Sequence, residues 1–192
     1  MEANTIATVA VLSVCVVYLI VLYNGLVSLK HAVAKHLANI DVLLKQRHEE
    51  LPKLIDTCRQ YMTYEKSTLE RVIGARNQVA RAQARGDLRD LGKAESQLRQ
   101  GLGQLFALAE GYPVLQASES FQRLQNRISE LESTIADRRE VYNEAVNNNN
   151  VRIDQFPDIV VARLCGFGSF EMLEFSADEV RDVDVKALFS GT

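Results

Sequence analysis

Three cysteines, three histidines and a few charged residues out of pattern are the side chains whose type and spacing invite a chemical reading. Cys15, Cys58 and Cys165 lie far apart with no Cys-x-x-Cys pair, so they read as small apolar residues in a reducing compartment rather than as a disulfide framework. His31, His36 and His48 are five and twelve residues apart. No two of them make the i, i+4 pair that sets imidazoles on one helical face for a metal. The chain also has no Gly-x-Ser-x-Gly, no His-Glu-x-x-His and no P-loop, the arrangements that would activate a serine, bind catalytic zinc or cradle phosphate. The carboxylates at Glu49-Glu50 and Asp137 read as solvated faces.

What remains is charge on seams that periodicity reserves for aliphatic residues. Reading every third or fourth residue gives Phe121, Leu124, Ile128, Leu131, Ile135, Arg138, Tyr142 and Ala145 in one segment. It gives Val33, Leu37, Ile40, Leu44, Arg47 and Leu51 in another, and Leu54, Cys58, Tyr61, Glu65, Thr68, Val72, Ala75, Val79 and Ala82 in a third. An unpaired charge buried there costs several kcal/mol, so Arg47, Glu65 and Arg138 each need a partner or a path to water. Antiparallel bookkeeping expects Arg138 to pair with Glu65 or Asp41 and to fix helix register.

These residues need helices to position them, and the composition agrees. A chain of 192 residues, 47% hydrophobic with three prolines and no Trp, fits one helical domain with appendages. Lys and Arg total 22 against 25 Asp and Glu; no basic stripe neutralises phosphate, which argues against nucleic acid as a partner. Pro52, Pro113 and Pro157 are expected to cut the helices, as is Ala-Arg-Gly-Asp-Leu, where Gly86 ends one helix and Asp87 caps the next. In the leucine-rich segment from Leu88 to Leu108, Gly92, Gly101 and Gly103 either admit a close neighbour or mark a weak helix. Short connections make successive helices antiparallel. The expected fold is all-α: a transmembrane helix continuing into an up-and-down bundle, followed by a short tail.

The uncharged run from Ala3 to Leu29 exceeds the roughly 20 residues a helix needs to cross a bilayer. No basic region precedes it, as a signal peptide would require. Cations follow at Lys30, Lys35, Lys45 and Arg47, which places the N-terminus outside and the remainder in the cytoplasm. The expected division is 1–4 outside, 5–24 in the membrane with a hinge at Asn24 and Gly25, 25–156 as bundle and 157–192 as tail. If the chain turns at Pro52, the helix from Tyr23 to Leu51 is about 42 Å long. The return helix then reaches the membrane near Ala80, so Arg81, Arg85 and Arg89 face lipid head groups or simply form a solvated face.

Between Tyr23 and Phe167 the chain carries YNGLVSLKHAVAKHLANIDVLLKQRHEELPKL, Ala75-Arg76, YPVLQASESFQRLQNRISELESTIADRREVYNEAVNNNN and FPDIVVARLCGF. Over this stretch it resembles the LemA family. His36-Leu37, where the family favours an aromatic residue, and the run Asn147 to Asn150 depart from the pattern. The resemblance implies a bacterial inner-membrane protein with one N-terminal anchor and a cytoplasmic helical bundle. It implies no enzymatic activity, cofactor or small-molecule substrate. Members of the family are linked with envelope stress and membrane proteolysis, and one branch with magnetosome membranes. Carried over as structural or interaction residues are Asn39, Asp41, Arg47, Arg76, Glu132, Arg138, Arg139, Tyr142 and Asn143, to which the seam adds Glu65.

Four asparagines at 147–150 are expected to weaken or end the long helix. The following PDIVVARLCGFGSFEMLEF is too short to span a membrane. It packs on the bundle, lies at the interface or joins another subunit, and Ser176 to Glu179 would cap a short acidic helix. The expected function is a membrane-anchored scaffold or adaptor whose partners are membrane lipid and either other proteins or further copies of itself; a self-assembling, membrane-remodelling protein is the alternative.

Overall fold

The computed structural model describes residues 2–174. Among these, six helices and no strands are present: α1 (Glu2–Tyr61), α2 (Lys66–Arg85), α3 (Leu88–Ala109), α4 (Pro113–Gln116), α5 (Glu119–Asp154) and α6 (Asp158–Cys165). The all-α expectation holds. The acidic helix expected at Ser176 to Glu179 lies outside the described residues.

Punctuation by glycine and proline is obeyed at three of four places. Gly86 caps α2 at φ 65, the left-handed conformation that glycine adopts without steric cost. Asp87 then accepts from the Asp90 N–H at 2.9 Å as the N-cap of α3. Pro113 begins α4 at the first helical position, where its missing N–H is harmless, and Pro157, following a cis peptide bond, stands immediately before α6.

The fourth place is a correction. Pro52 does not end a helix; it lies inside α1, which continues to Tyr61. A proline within a helix leaves the carbonyl four residues earlier without its N–H, and here that carbonyl, on His48, accepts from Arg76 Nε at 3.1 Å. The chain turns at 62–65 instead, where the Met62 N–H still bonds to Cys58 O and Met62 is buried. Nor is there a hinge at Asn24 and Gly25, which are helical within α1, or a helix end at 147–150, which lie within α5.

The described chain divides into two compact units. The first holds Met1–Ile40 with Asp137–Met172, and the second Asp41–Ala136 with Leu173–Thr192, of which 173 and 174 are described. In the second unit the core is formed by Leu44, Leu51, Leu54 and Cys58 of α1, Leu69, Val72 and Val79 of α2, Leu91, Leu98, Leu102 and Leu105 of α3, and Phe121, Ile128, Leu131 and Ile135 of α5. Each fully buried aliphatic side chain is worth about 1.5–3 kcal/mol against leaving it exposed. Gly101 lets α3 come close to α2: a Cβ there would lie 3.3 Å from Val72 Cγ2.

In the first unit, α1 is bare over its apolar stretch, with Ile6, Val14 and Val21 at 70%, 69% and 60% exposure. At Leu22 the exposure falls to 5%. There Leu22 and Leu26 pack with Ile153 of α5 and Val161 and Ala162 of α6, and Phe167 lies against them.

Candidate functional site

The polar centre of the second unit is built on Arg47. The periodicity of α1 places it between Leu44 and Leu51, where it is 1% exposed. Its Nη2 donates to Glu95 Oε1 of α3 at 2.5 Å, and its Nη1 to Glu132 Oε1 of α5, also at 2.5 Å. Arg99 Nε stands 3.5 Å from the second oxygen of Glu132. Two cations and two carboxylates thus balance across three helices, which is the condition under which buried charge is tolerated.

The electrostatics follow from the geometry. Burial works against the Arg47 cation, but the paired carboxylates outweigh it and hold its pKa above the ordinary value. Burial pushes the Glu95 carboxyl up, against the pull of Arg47. Arginine is a poor proton donor at any ordinary pH, and both of its carboxylate partners are held in ion pairs. The arrangement is therefore suited to fixing the register of three helices rather than to proton transfer. Among the described residues no group of three or more His, Cys, Asp or Glu could hold a metal ion.

Other side chains brace the same unit. Gln83 Nε2 donates to Asp41 Oδ1 at 3.0 Å, tying α2 to α1. Tyr112 Oη donates to Glu65 Oε1 at 3.5 Å, closing the loop before α4 onto the α1–α2 turn. Beside the Arg76 to His48 bond, the His48 imidazole is held below its ordinary pKa, first by burial and then by the Arg76 cation.

In the first unit, the asparagines hold the chain after α6. Asn149 is buried and donates to Gly168 O at 3.2 Å. Asn150 donates to Phe170 O and accepts from the Phe170 N–H, both at 2.9 Å. Its amide thus pairs with the backbone as a neighbouring strand would. Tyr142 Oη donates to Glu171 O at 2.8 Å. Tail residues 167–171 therefore lie along α5, one of the placements the sequence allowed.

Of the residues singled out from sequence, the structure joins Arg47 with Glu132, Asp41 with Gln83, Glu65 with Tyr112, and Arg76 with the backbone that Pro52 leaves open. Arg138 is a correction: it is exposed, while Asp41 and Glu65 have the partners just given. The aliphatic seam skips that turn, passing from Ile135 to Tyr142. Arg139 and Asn143 are half-buried and Asn39 is exposed. Arg81, Arg85 and Arg89 are exposed as well, Arg85 bonding to Asp90 at 2.9 Å. Their placement near lipid head groups required a turn at Pro52, which does not occur.

Two buried polar seam positions escaped the sequence reading. Glu95 fills the empty place in the leucine stripe between Leu91 and Leu98, and Asn149 continues the stripe Tyr142, Val146, Asn149, Ile153. Both could have been found as polar residues occupying a seam slot.

A model of the LemA family matches residues 36–187. Among curated proteins, the chain is similar to the magnetosome proteins MamQ 1 and MamQ 2 of Paramagnetospirillum magneticum. Each is 24% identical over 196 residues, covering 89% of this chain and 72% of the relative. The magnetosome protein MamQ of Magnetospirillum gryphiswaldense is 23% identical over 179 residues, covering 80% of this chain and 65% of its own. Among the described residues, one helix, α1, is long and apolar enough to cross a membrane.

Proposed function

The chain belongs to the LemA family, and from that premise we propose that it is a non-enzymatic, membrane-anchored scaffold or adaptor. The observation that carries this reading is the bare apolar stretch of α1, which continues without a break to Tyr61. A hydrocarbon-length surface of that kind has no favourable place in water. The cations that follow it support a cytoplasmic location for the remainder, on the inner membrane of a bacterium, with the N-terminus outside. The polar residues of the bundle support a structural role: buried Arg47 is paired with both Glu95 and Glu132.

Service in envelope stress or membrane proteolysis is the finer form of this reading, drawn from the family. A second reading is a self-assembling protein that organises or remodels membrane. It is favoured by the designation of the relatives as magnetosome proteins.

The test is photo-crosslinking in membranes from exposed positions of the second unit, such as Arg59 and Arg127, together with the mass of the full-length protein in mild detergent. Discrete protein adducts on a small oligomer are expected. A large anchor-dependent assembly would favour the remodelling reading. A monomer without adducts that turns over a membrane or wall substrate would sink both.

A further inference from the structure

We propose that α6 is a second membrane contact, an interfacial helix whose outer face lies in the head-group region of the bilayer that α1 crosses. The proposal rests on the reading of α1 as the anchor and concerns the first unit alone.

The position of α6 along α1 is the first argument. Along α1 every large apolar residue from Ile6 to Val21 is bare; Leu22 is the first to be covered, while Tyr23 is still 45% exposed. What covers it includes α6, through Val161 and Ala162, together with Ile153. The Tyr23 and Phe167 rings meet edge to face, 5.7 Å between centroids. A tyrosine ring, apolar with one polar end, suits the level where hydrocarbon gives way to head groups. Lys30, the first cation after the run, lies only about two turns further along α1.

The face that α6 leaves open is the second argument. Val161 and Ala162 are buried, whereas Val160 and Leu164 are 49% and 82% exposed, and Phe156, four residues before Val160, is 84% exposed. Val160 and Leu164 are an i, i+4 pair on the outer face of α6, and Phe156 lies in the turn just before the helix. The helix that carries this face packs through Val161 and Ala162 on Leu22 and Leu26, where the bare apolar stretch of α1 ends, and that level along α1 is why lipid rather than protein is its occupant. Exposed Arg163 lies beside the pair, where its guanidinium can reach head-group phosphate while its stem lies along the apolar surface. Arg152 is already engaged, with Asp158 at 2.7 Å. An apolar outer face and a flanking cation are what an interfacial helix requires.

The test uses the full chain in vesicles of phosphatidylcholine and phosphatidylglycerol. Cys15→Ala and Cys165→Ser remove the two exposed thiols, and single cysteines are placed at Leu164, Val160, Val14 or Glu130 for an environment-sensitive fluorophore. The expected result is blue-shifted emission from Leu164→Cys and Val160→Cys, with loss of intensity on adding lipid spin-labelled near the head group. Glu130→Cys should respond only to aqueous iodide, and Val14→Cys only to lipid spin-labelled deep in the chains.

If Val14→Cys is quenched by lipid but the labels at 160 and 164 answer only to iodide, the interfacial helix is overturned and the anchor stands. If those labels are protected from both quenchers, a protein covers the face, and the proposal again fails. If Val14→Cys itself is open to iodide, the anchor reading fails and takes the proposal with it.

Discussion

Arg76 Nε donates to the carbonyl oxygen of His48 at 3.1 Å, the carbonyl that Pro52 leaves without an N–H in the middle of α1. A half-buried acceptor of this kind is costly to leave unpaired, by about 1–3 kcal/mol. The arginine on α2 thus allows α1 to tolerate a residue that would otherwise end it.

Arg76→Met is therefore expected to lower stability by about 1–3 kcal/mol and to weaken α1 near Pro52. In a Pro52→Ala background the missing N–H returns, the His48 carbonyl has a partner within its own helix, and the same arginine change should cost markedly less. Chemical denaturation of the four proteins of this cycle measures the coupling. Additive effects would mean that Arg76 acts elsewhere.

A second prediction concerns the Arg47 cluster. Arg47→Leu leaves Glu95 and Glu132 buried without their cation and should cost about 3–5 kcal/mol. Adding Glu95→Leu and Glu132→Gln should recover most of that loss. The pH dependence has a fixed sign. Glu95 is raised from 4.5 in the folded state, so its contribution is full below that value and is lost as pH rises through the folded pKa. The Arg47→Leu protein should accordingly be least stable near neutrality and regain stability on acidification toward about pH 5. Thermal melts across that range check this, and a variant that weakens steadily with acid would sink the assignment.

The contrast between Arg47 and Arg138 says what the sequence could deliver. Both occupied seam slots by spacing. The short seam of α1 held through Leu44, Arg47 and Leu51, but in α5 the register drifted over a longer run and one turn at Arg138 faces water. Helical periodicity of 3.6 does not stay locked to a 3-4 count over 36 residues. The helices, the Gly86 and Asp87 caps and the bare apolar stretch of α1 were legible because each rests on local chemistry. The continuity of α1 through Pro52 was not, since it depends on a residue 24 positions away from the proline, as the 28-residue separation of Arg76 from His48 makes plain. The run of asparagines misled in the same way: their low helix propensity is local, while the tail backbone they bind is distant.

A third prediction separates the thiols. Burial pushes the Cys58 thiol up to about 11 from 9.0, whereas Cys165 is exposed. With iodoacetamide near pH 8, exposed Cys165 should be alkylated readily, and Cys58 should react about a hundredfold more slowly than it would at the ordinary 9.0, from its lower thiolate fraction alone. Denaturant should abolish the difference. The same shift makes the stability contributed by Cys58 full below about 9 and lost as pH rises through about 11. Mass spectrometry of the alkylated peptides reads the rates; equal labelling in the native protein would contradict the burial of Cys58.

The last prediction tests whether Asn150 holds the tail. Its amide makes two bonds to the Phe170 backbone, N–H and carbonyl both at 2.9 Å, and neutral bonds of this kind contribute about 0.5–1.5 kcal/mol each. Asn150→Leu removes both. Asn150→Asp keeps the acceptor but sets a carboxylate oxygen against the Phe170 carbonyl, so it should be no milder. Local opening of residues 167–171 should then become about tenfold or more frequent, seen as faster amide exchange at Phe170 and faster chymotryptic cleavage after Phe167 and Phe170. Tyr142→Phe, which removes the single bond to Glu171 O, should have a smaller effect of the same sign. Because the aliphatic cores of both units keep their contacts, the main thermal transition should move little. Unchanged exchange at Phe170 in Asn150→Leu would mean that the side chains packed around Phe167, not the asparagine, secure the segment.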